Sequence, residues 1–253
     1  MSVALAEIVM ELDGFLKVSE LQDYAPNGLQ VQNSGQINKI CTAVTASLET
    51  IEAAAACGAN LLLVHHGYFW KGEPAPLVGM KYQRIAALLK HDMALLAYHL
   101  PLDIHPQLGN NAEIGKRFGL KINEFAYPEG RLPLVALSEL PVPLTLDQLA
   151  EQCAMIFQRP PLVIAGGDQL IRRLAWCSGG AQDYIVEAKK MGADAYLSGE
   201  VSERTYYQAR ELGIHYLACG HHATERFGVQ ALGEWLQQRV NLPLEFVESD
   251  NPV

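Results

Sequence analysis

Histidines and carboxylates gather just after short apolar runs at four places in the chain, two in each half. His65-His66 follow Leu61-Leu62-Leu63-Val64, and His99 and Asp103 follow Leu95-Leu96-Ala97-Tyr98. Gly199-Glu200 follow Ala195-Tyr196-Leu197-Ser198, and His221 and Glu225 follow Tyr216-Leu217-Ala218-Cys219. Apolar runs of this length read as buried strands, and open α/β sheets hold ligands beyond the ends of their strands. Imidazole nitrogens and carboxylate oxygens converging there are the donors of a hydrolytic metal centre. Nitrogen and oxygen donors without thiolate suit zinc, iron, manganese or nickel and disfavour calcium or an iron–sulfur cluster.

Each motif alone also has a plainer reading. Adjacent residues on a strand point to opposite faces, so His65-His66 within a strand would bury one imidazole and expose the other. At a strand-to-loop turn, which Gly67 permits, both rings can face neighbouring metals. If Ala223-Thr224-Glu225-Arg226 opens a helix, His221 and Glu225 share a face one turn apart. A carboxylate favoured by a helix N-terminus would explain Glu225 without metal, but not the His221-His222 before it. Asp103 lies between Pro101 and Pro106, which predict a stiff extended loop; its plainer role is to stabilise a turn. His91 and His105 lack a strand-end partner and read as surface or structural, and His215 reads as a core histidine. The conjunction decides. His65, His66, Asp103, His221 and Glu225 can serve two ions, with a bridging carboxylate and open positions for water. His99 and Glu200 are cast as orienting or general acid–base groups. Lys71 and Arg84 are candidates to neutralise an anionic substrate, and each also reads as a solvated surface charge.

The elements that must position these groups repeat. Setting Gly58-Ala59-Asn60 on Gly192-Ala193-Asp194 also sets Ile51 on Ile185, Ala54 on Ala188 and His66 on Glu200. A second shift sets His99 on His221 and Asp103 on Glu225. Each half then reads strand, helix, Gly-Ala-Asn/Asp turn, strand, helix, strand. The first half runs 40–44, 48–57, 61–64, 82–90 and 94–98; the second runs 174–177, 182–191, 195–197, 203–212 and 215–218. Such alternation predicts α/β layers with helices covering a sheet. A proline-rich stretch, 128–161, marks the join and brackets a strand at 134–137 and a helix near 146–157. The expected domains are 1–127 and 128–253, the second closing with a helix over 232–240 and a strand over 244–247.

Composition narrows the function classes. The 253 residues are 49% hydrophobic with a mean hydropathy of +0.05, ample for a core. A net charge of −9, with no five-residue run of Lys or Arg, argues against direct nucleic-acid binding. Five scattered cysteines without a C-x-x-C pair read as reduced thiols of a cytoplasmic protein. Glu7, Glu11 and Asp13 interrupt the apolar N-terminus, so it reads as an amphipathic helix and not a signal peptide; no run is long enough to span a membrane. The chain has no P-loop, no nucleophile elbow and no dinucleotide fingerprint.

Several stretches together resemble the NIF-three-like family, named GTP cyclohydrolase I type 2 homologues, and its enterobacterial members above all. They are Asp23–Val31, Val64–Gly72, His99–Asp103, Gly109–Asn111, Leu197–Glu200 and Gly220–Arg226, and the likeness spans nearly the whole chain without departure at the donor positions. The resemblance implies two intertwined α/β domains, here internally repeated, with mixed sheets covered by helices. It also implies a toroidal homohexamer with metal sites facing inward, and a dinuclear centre on His65, His66, Asp103, His221 and Glu225. The expected cofactors are thus two divalent transition-metal ions per chain. Roles in nucleotide turnover and radiation resistance have been proposed for the family. The resulting expectation is a metal-dependent hydrolase of a small molecule, with nucleotide or cyclohydrolase-type chemistry included. The alternative is a non-enzymatic metal-binding regulatory or scaffold assembly.

Overall fold

Apolar segments separated by glycine-marked turns become the central strands of two sheets. The computed structural model describes residues 2–128 and 132–253. Contacts divide the chain into two compact units, Met1–Leu108 with Gly228–Asp250, and Gly109–Phe227 with Asn251–Val253.

In the first unit the order is β1 (Val3–Ala4), α1 (Leu5–Phe15), β2 (Gly28–Val31), β3 (Gln36–Ile37), β4 (Ile40–Thr45), α2 (Leu48–Ala56), β5 (Leu61–His66), α3 (Gly79–Lys90), β6 (Ala94–Ala97) and α4 (Leu100–Asp103). The second unit continues with α5 (Asn110–Arg117), β7 (Glu124–Ala126), β8 (Val135–Leu144), α6 (Leu146–Phe157), β9 (Leu162–Ile164), β10 (Ile171–Trp176), α7 (Ile185–Lys190), β11 (Ala195–Ser198), α8 (Glu203–Leu212) and β12 (His215–Ala218). The long helix α9 (His221–Val240) begins in the second unit and ends in the first, which β13 (Leu244–Phe246) then completes.

The first sheet has the order β13-β4-β5-β6-β2, with β2 antiparallel and the others parallel. The second has the order β7-β8-β10-β11-β12-β9, with β10, β11 and β12 parallel and β9 antiparallel to β12. The first sheet therefore holds four parallel strands and the second three, each set flanked by an antiparallel strand that comes before β4 or β10 in the chain. β1 and β3 form a separate small pair.

Parallel strands covered on both faces need apolar residues at every position. Leu61, Leu63 and Leu96 pack with Ile8, Leu12, Leu232 and Leu236 on one face, and Leu62, Val64 and Leu95 with Ile51, Ala54 and Leu88 on the other. The second sheet alternates likewise, Leu174, Trp176, Leu197 and Leu217 against Phe157, and Ala175, Tyr196 and Tyr216 against Ile185 and Ala188. Burying each such leucine contributes about 1.5–3 kcal/mol. The repeated glycines end α2 and α7 in matching ways. Gly58 and Gly192 take φ of 80° and 79°, a left-handed conformation that favours glycine. The next residues, Ala59 and Ala193, donate back to Ala54 and Ala188 at 3.0 and 3.1 Å.

Three local expectations change. Leu100–Asp103 is a helical turn and not an extended loop, because Pro101 occupies its first turn, where a missing N–H costs nothing. The last helix begins at His221 and runs unbroken past 232. The boundary read near Tyr127 lies inside the second unit, which begins at Gly109, and 228–250 returns to the first. Of the proline-rich stretch, residues 129–131 lie outside the described residues. Pro141 and Pro143 sit within β8, where its register with β10 shifts between Glu139 and Leu144.

Candidate metal centre

In the first unit, β5 delivers His65 and His66 as its last two residues. The His65 ring is wholly buried. Its Nδ1 lies 2.9 Å from the Tyr98 carbonyl oxygen, so Nδ1 carries the proton and Nε2 is the donor, 3.6 Å from Asp103 Oδ1. His66 is still in the strand, paired with Thr45 of β4, and its Nδ1 lies 3.2 Å from Thr45 Oγ1. The two rings nonetheless come together, with centroids 4.6 Å apart. The chain then turns at Gly67, where a Cβ would collide with the Gln30 side chain and Ala97.

His99 follows β6 and opens α4. Its Nδ1 lies 3.1 Å from both oxygens of Asp23, and its N–H donates to Asn27 Oδ1 at 2.7 Å. Asp23 is a hub, accepting also from the N–H groups of Ala25 (3.1 Å) and Leu100 (2.9 Å) and from Asn27 Nδ2 (3.0 Å). Burial works to raise the Asp23 pKa, but the hydrogen bond and charge of His99, with Asn27 and the Ala25 N–H, hold it down at about 2. α4 places Asp103, whose N–H returns to the His99 carbonyl at 3.1 Å. One ligand atom from each of His65, His66 and His99 can be chosen so that all lie within 4.8 Å of one another. Tyr24 and Trp70 wall this cluster, with ring centroids 5.0 and 5.1 Å from His99.

In the second unit, Glu200 follows β11 and His221 opens α9. His221 Nδ1 lies 2.7 Å from Glu200 Oε1, and Nε2 lies 3.1 Å from Glu225 Oε2, one helical turn on. Glu225 is buried. Glycines let the backbone approach: Gly179, at φ 66°, lies so close that a Cβ would strike Glu225. Its N–H donates to Thr224 Oγ1 at 3.0 Å, and Gly199 N–H donates to the Gly179 carbonyl at 2.9 Å. Burial disfavours the charged His221 ring, but Glu225 and Glu200 outweigh it and raise its pKa to about 9.

The donor chemistry fits a divalent transition metal. Four imidazoles each turn Nδ1 to an oxygen, from Tyr98, Thr45, Asp23 and Glu200, which leaves Nε2 for ligation. Ligating histidines are held in this way. The structure thus brings His65, His66, His99 and Asp103 together in one unit, and Glu200, His221 and Glu225 in the other. Lys71 is exposed, and Arg84 lies over the Tyr68 ring at 5.9 Å. His215 is a core histidine, its Nε2 donating to the Gln169 carbonyl at 3.0 Å, while His91 pairs with Glu52 at 3.1 Å. Asp23 and Thr45 were missed by sequence reasoning. Asp23 stood inside a recognisable stretch, but nothing in its spacing tied it to His99.

A family profile described as Duf34/NIF3 (NGG1p interacting factor 3) matches residues 3–252. A Pseudomonas aeruginosa protein named GTP cyclohydrolase 1 type 2 homolog is 47% identical over 252 residues, 100% of each chain. An Escherichia coli protein of the same name is 44% identical over 239 residues, 94% of each chain. A solved structure of the protein ybgI, its function given as unknown, has a TM-score of 0.95 at 42% identity, covering 99% of this chain and 100% of that one.

Proposed function

This chain belongs to the Duf34/NIF3 family, and from that premise we propose that it is a metal-dependent hydrolase of a small molecule. The observation that carries the reading is the set of four imidazoles whose Nδ1 atoms are held by oxygens, leaving Nε2 for ligation. His65, His66 and Asp103 supply donors from the first unit, and His221 and Glu225 from the second. The count of two ions per chain in a dinuclear centre rests on the resemblance. When bound, such ions supply an acidified water and polarise the scissile bond.

The chain's own groups orient and move protons. Asp23 fixes the His99 ring through Nδ1, and Glu200 fixes His221 in the same way. His99 and Glu200 are the proposed proton-handling groups, Glu200 acting beside or through the imidazole it orients. Tyr24 and Trp70 give the first donor set an apolar wall that limits water. The name carried by the relatives supports nucleotide or cyclohydrolase-type substrates, while a role in nucleotide turnover or radiation resistance rests on the resemblance. A toroidal homohexamer in the cytoplasm completes the proposal, closed rings being a common form of symmetric assembly. Among the described residues, no helix is long and apolar enough to cross a membrane.

The test is elemental analysis of anaerobically purified protein, followed by turnover on a panel of nucleotides, cyclic amides and phosphoesters. Metal-dependent turnover that His65→Ala abolishes supports the reading. Metal-loaded protein that turns over nothing on the panel, and whose cellular role survives His65→Ala, overturns it in favour of a scaffold.

A further inference from the structure

Away from the donors, two thiols of the first unit meet. Cys41 Sγ and Cys57 Sγ lie 3.1 Å apart. Cys41 is on β4, wholly buried in the core that Ile51 and Ala54 build. Cys57 ends α2 and is half-buried, its Sγ donating to the Ala54 carbonyl at 3.1 Å. Lys39 Nζ donates to the Cys57 carbonyl at 2.7 Å and pairs with Glu245 at 2.8 Å, which puts a cation beside the pair. A disulfide bond is about 2.05 Å long, so an approach of about 1 Å joins the two sulfurs.

We propose that Cys41 and Cys57 form an oxidation site that a hydroperoxide converts to a disulfide. The partly exposed Cys57 is the sulfur an oxidant reaches, and Cys41 is the resolving sulfur beneath it. Burial holds the Cys41 thiol well above the usual thiol range, so it is not the first to react. In the first step the Cys57 thiolate attacks the O–O bond; an S–O bond forms, O–O breaks, and the leaving oxygen takes a proton. In the second, Cys41 sulfur attacks the sulfenic sulfur; S–S forms, S–O breaks, and hydroxide leaves as water with the Cys41 proton. Two thiols lose two electrons and two protons, and the peroxide is reduced to water and an alcohol, or to two waters for hydrogen peroxide.

The second unit provides an internal contrast. The alignment that sets Gly58 on Gly192 puts Ala175 and Met191 where Cys41 and Cys57 stand. Cys153 and Cys219 share the core of that unit, but both are buried at 0% and 1% exposure, beyond an oxidant's reach.

The experiment treats the reduced full chain with hydrogen peroxide, alkylates remaining thiols and maps the peptides without reduction. The expected product has a Cys41–Cys57 bond, a mass lower by two hydrogens and two fewer alkylated thiols. Cys41→Ala should fold, as judged by circular dichroism, and accumulate a Cys57 sulfenic acid trapped by dimedone. Native Cys57 should react about tenfold faster than Cys153, Cys177 or Cys219, following exposure. Cys57→Ser should form neither the bond nor an adduct on Cys41, and serves as the second variant if Cys41→Ala misfolds. Stable sulfenic or sulfinic acid on native Cys57 without the bond, or equal thiol loss in Cys57→Ser, overturns the proposal.

Discussion

The two sheets share three parallel strands, two covering helices and matching glycine stops, yet past the strand ends they part company. Beyond β5 and β6 the chain sets imidazoles among aromatic rings: His65, His66 and His99 beside Tyr24 and Trp70. Beyond β10 and β11 it sets Gly179, Gly180 and Gly199 around one imidazole and two carboxylates. Apolar cores tolerate little change, whereas loop ends are free to vary. The comparison teaches that the repeat conserves scaffold geometry while dividing donor chemistry, nitrogen-rich in one unit and oxygen-rich in the other.

The largest effect should come from removing donors. His66→Ala combined with Glu225→Ala should abolish stoichiometric metal while circular dichroism stays native; full metal content by elemental analysis would break the assignment of both sets. The scaffolds should respond alike. Leu63→Ala and Leu197→Ala, both wholly buried, should each cost about 2–5 kcal/mol in urea unfolding. A cost below about 1 kcal/mol for only one of them would show that the cores are not equivalent.

Next come the residues that hold the imidazoles. Glu200→Gln should weaken metal affinity about 10–100-fold by competition with a chelator. With metal saturating, Glu200→Gln should keep its metal and lose hydrolytic rate, while Asp23→Asn should lose rate at unchanged affinity, because Asp23 orients the proton-handling His99. Unchanged affinity in Glu200→Gln would mean that this carboxylate does not orient a ligand.

The smallest effect should appear in the pH dependence of metal-free protein. His221 is raised from 6.5 to about 9, so its contribution is full below pH 6.5 and is lost as pH rises through about 9. Asp23 is lowered from 3.8 to about 2; its contribution is full above pH 3.8 and is lost as pH falls through about 2. Urea midpoints of chelated wild type and His221→Gln should therefore differ at pH 6 and converge near pH 10. Metal affinity should run the other way at His221, strengthening with pH as the competing proton leaves.

The parallel cores were legible in the sequence because strands buried on both faces are runs of leucine, valine and alanine, and α8 was read with the bounds it has. The histidines and carboxylates that the fold gathers in each unit stood out in the sequence because they follow those runs. Helix α9 was only half legible: Gly228 and Gly233 interrupt its pattern, and Gly233 is there because a Cβ would press on Thr42 at 2.6 Å. The helical turn carrying Asp103 was hidden by its own proline. Asp23 and Thr45 could not be paired with His99 and His66, since only folding brings together residues so far apart in the chain.

The discontinuity of the first unit has a consequence for synthesis on the ribosome. β4, β5 and β6 emerge early, but Leu232 and Leu236 of their core and the neighbouring strand β13 lie in the 228–250 segment. The second unit, almost contiguous from Gly109 to Phe227, can close first, while the earlier-made sheet waits with one apolar face covered only in part, by α1. Order of manufacture and order of completion are reversed in this chain, so a stalled or truncated product would be a sticky one.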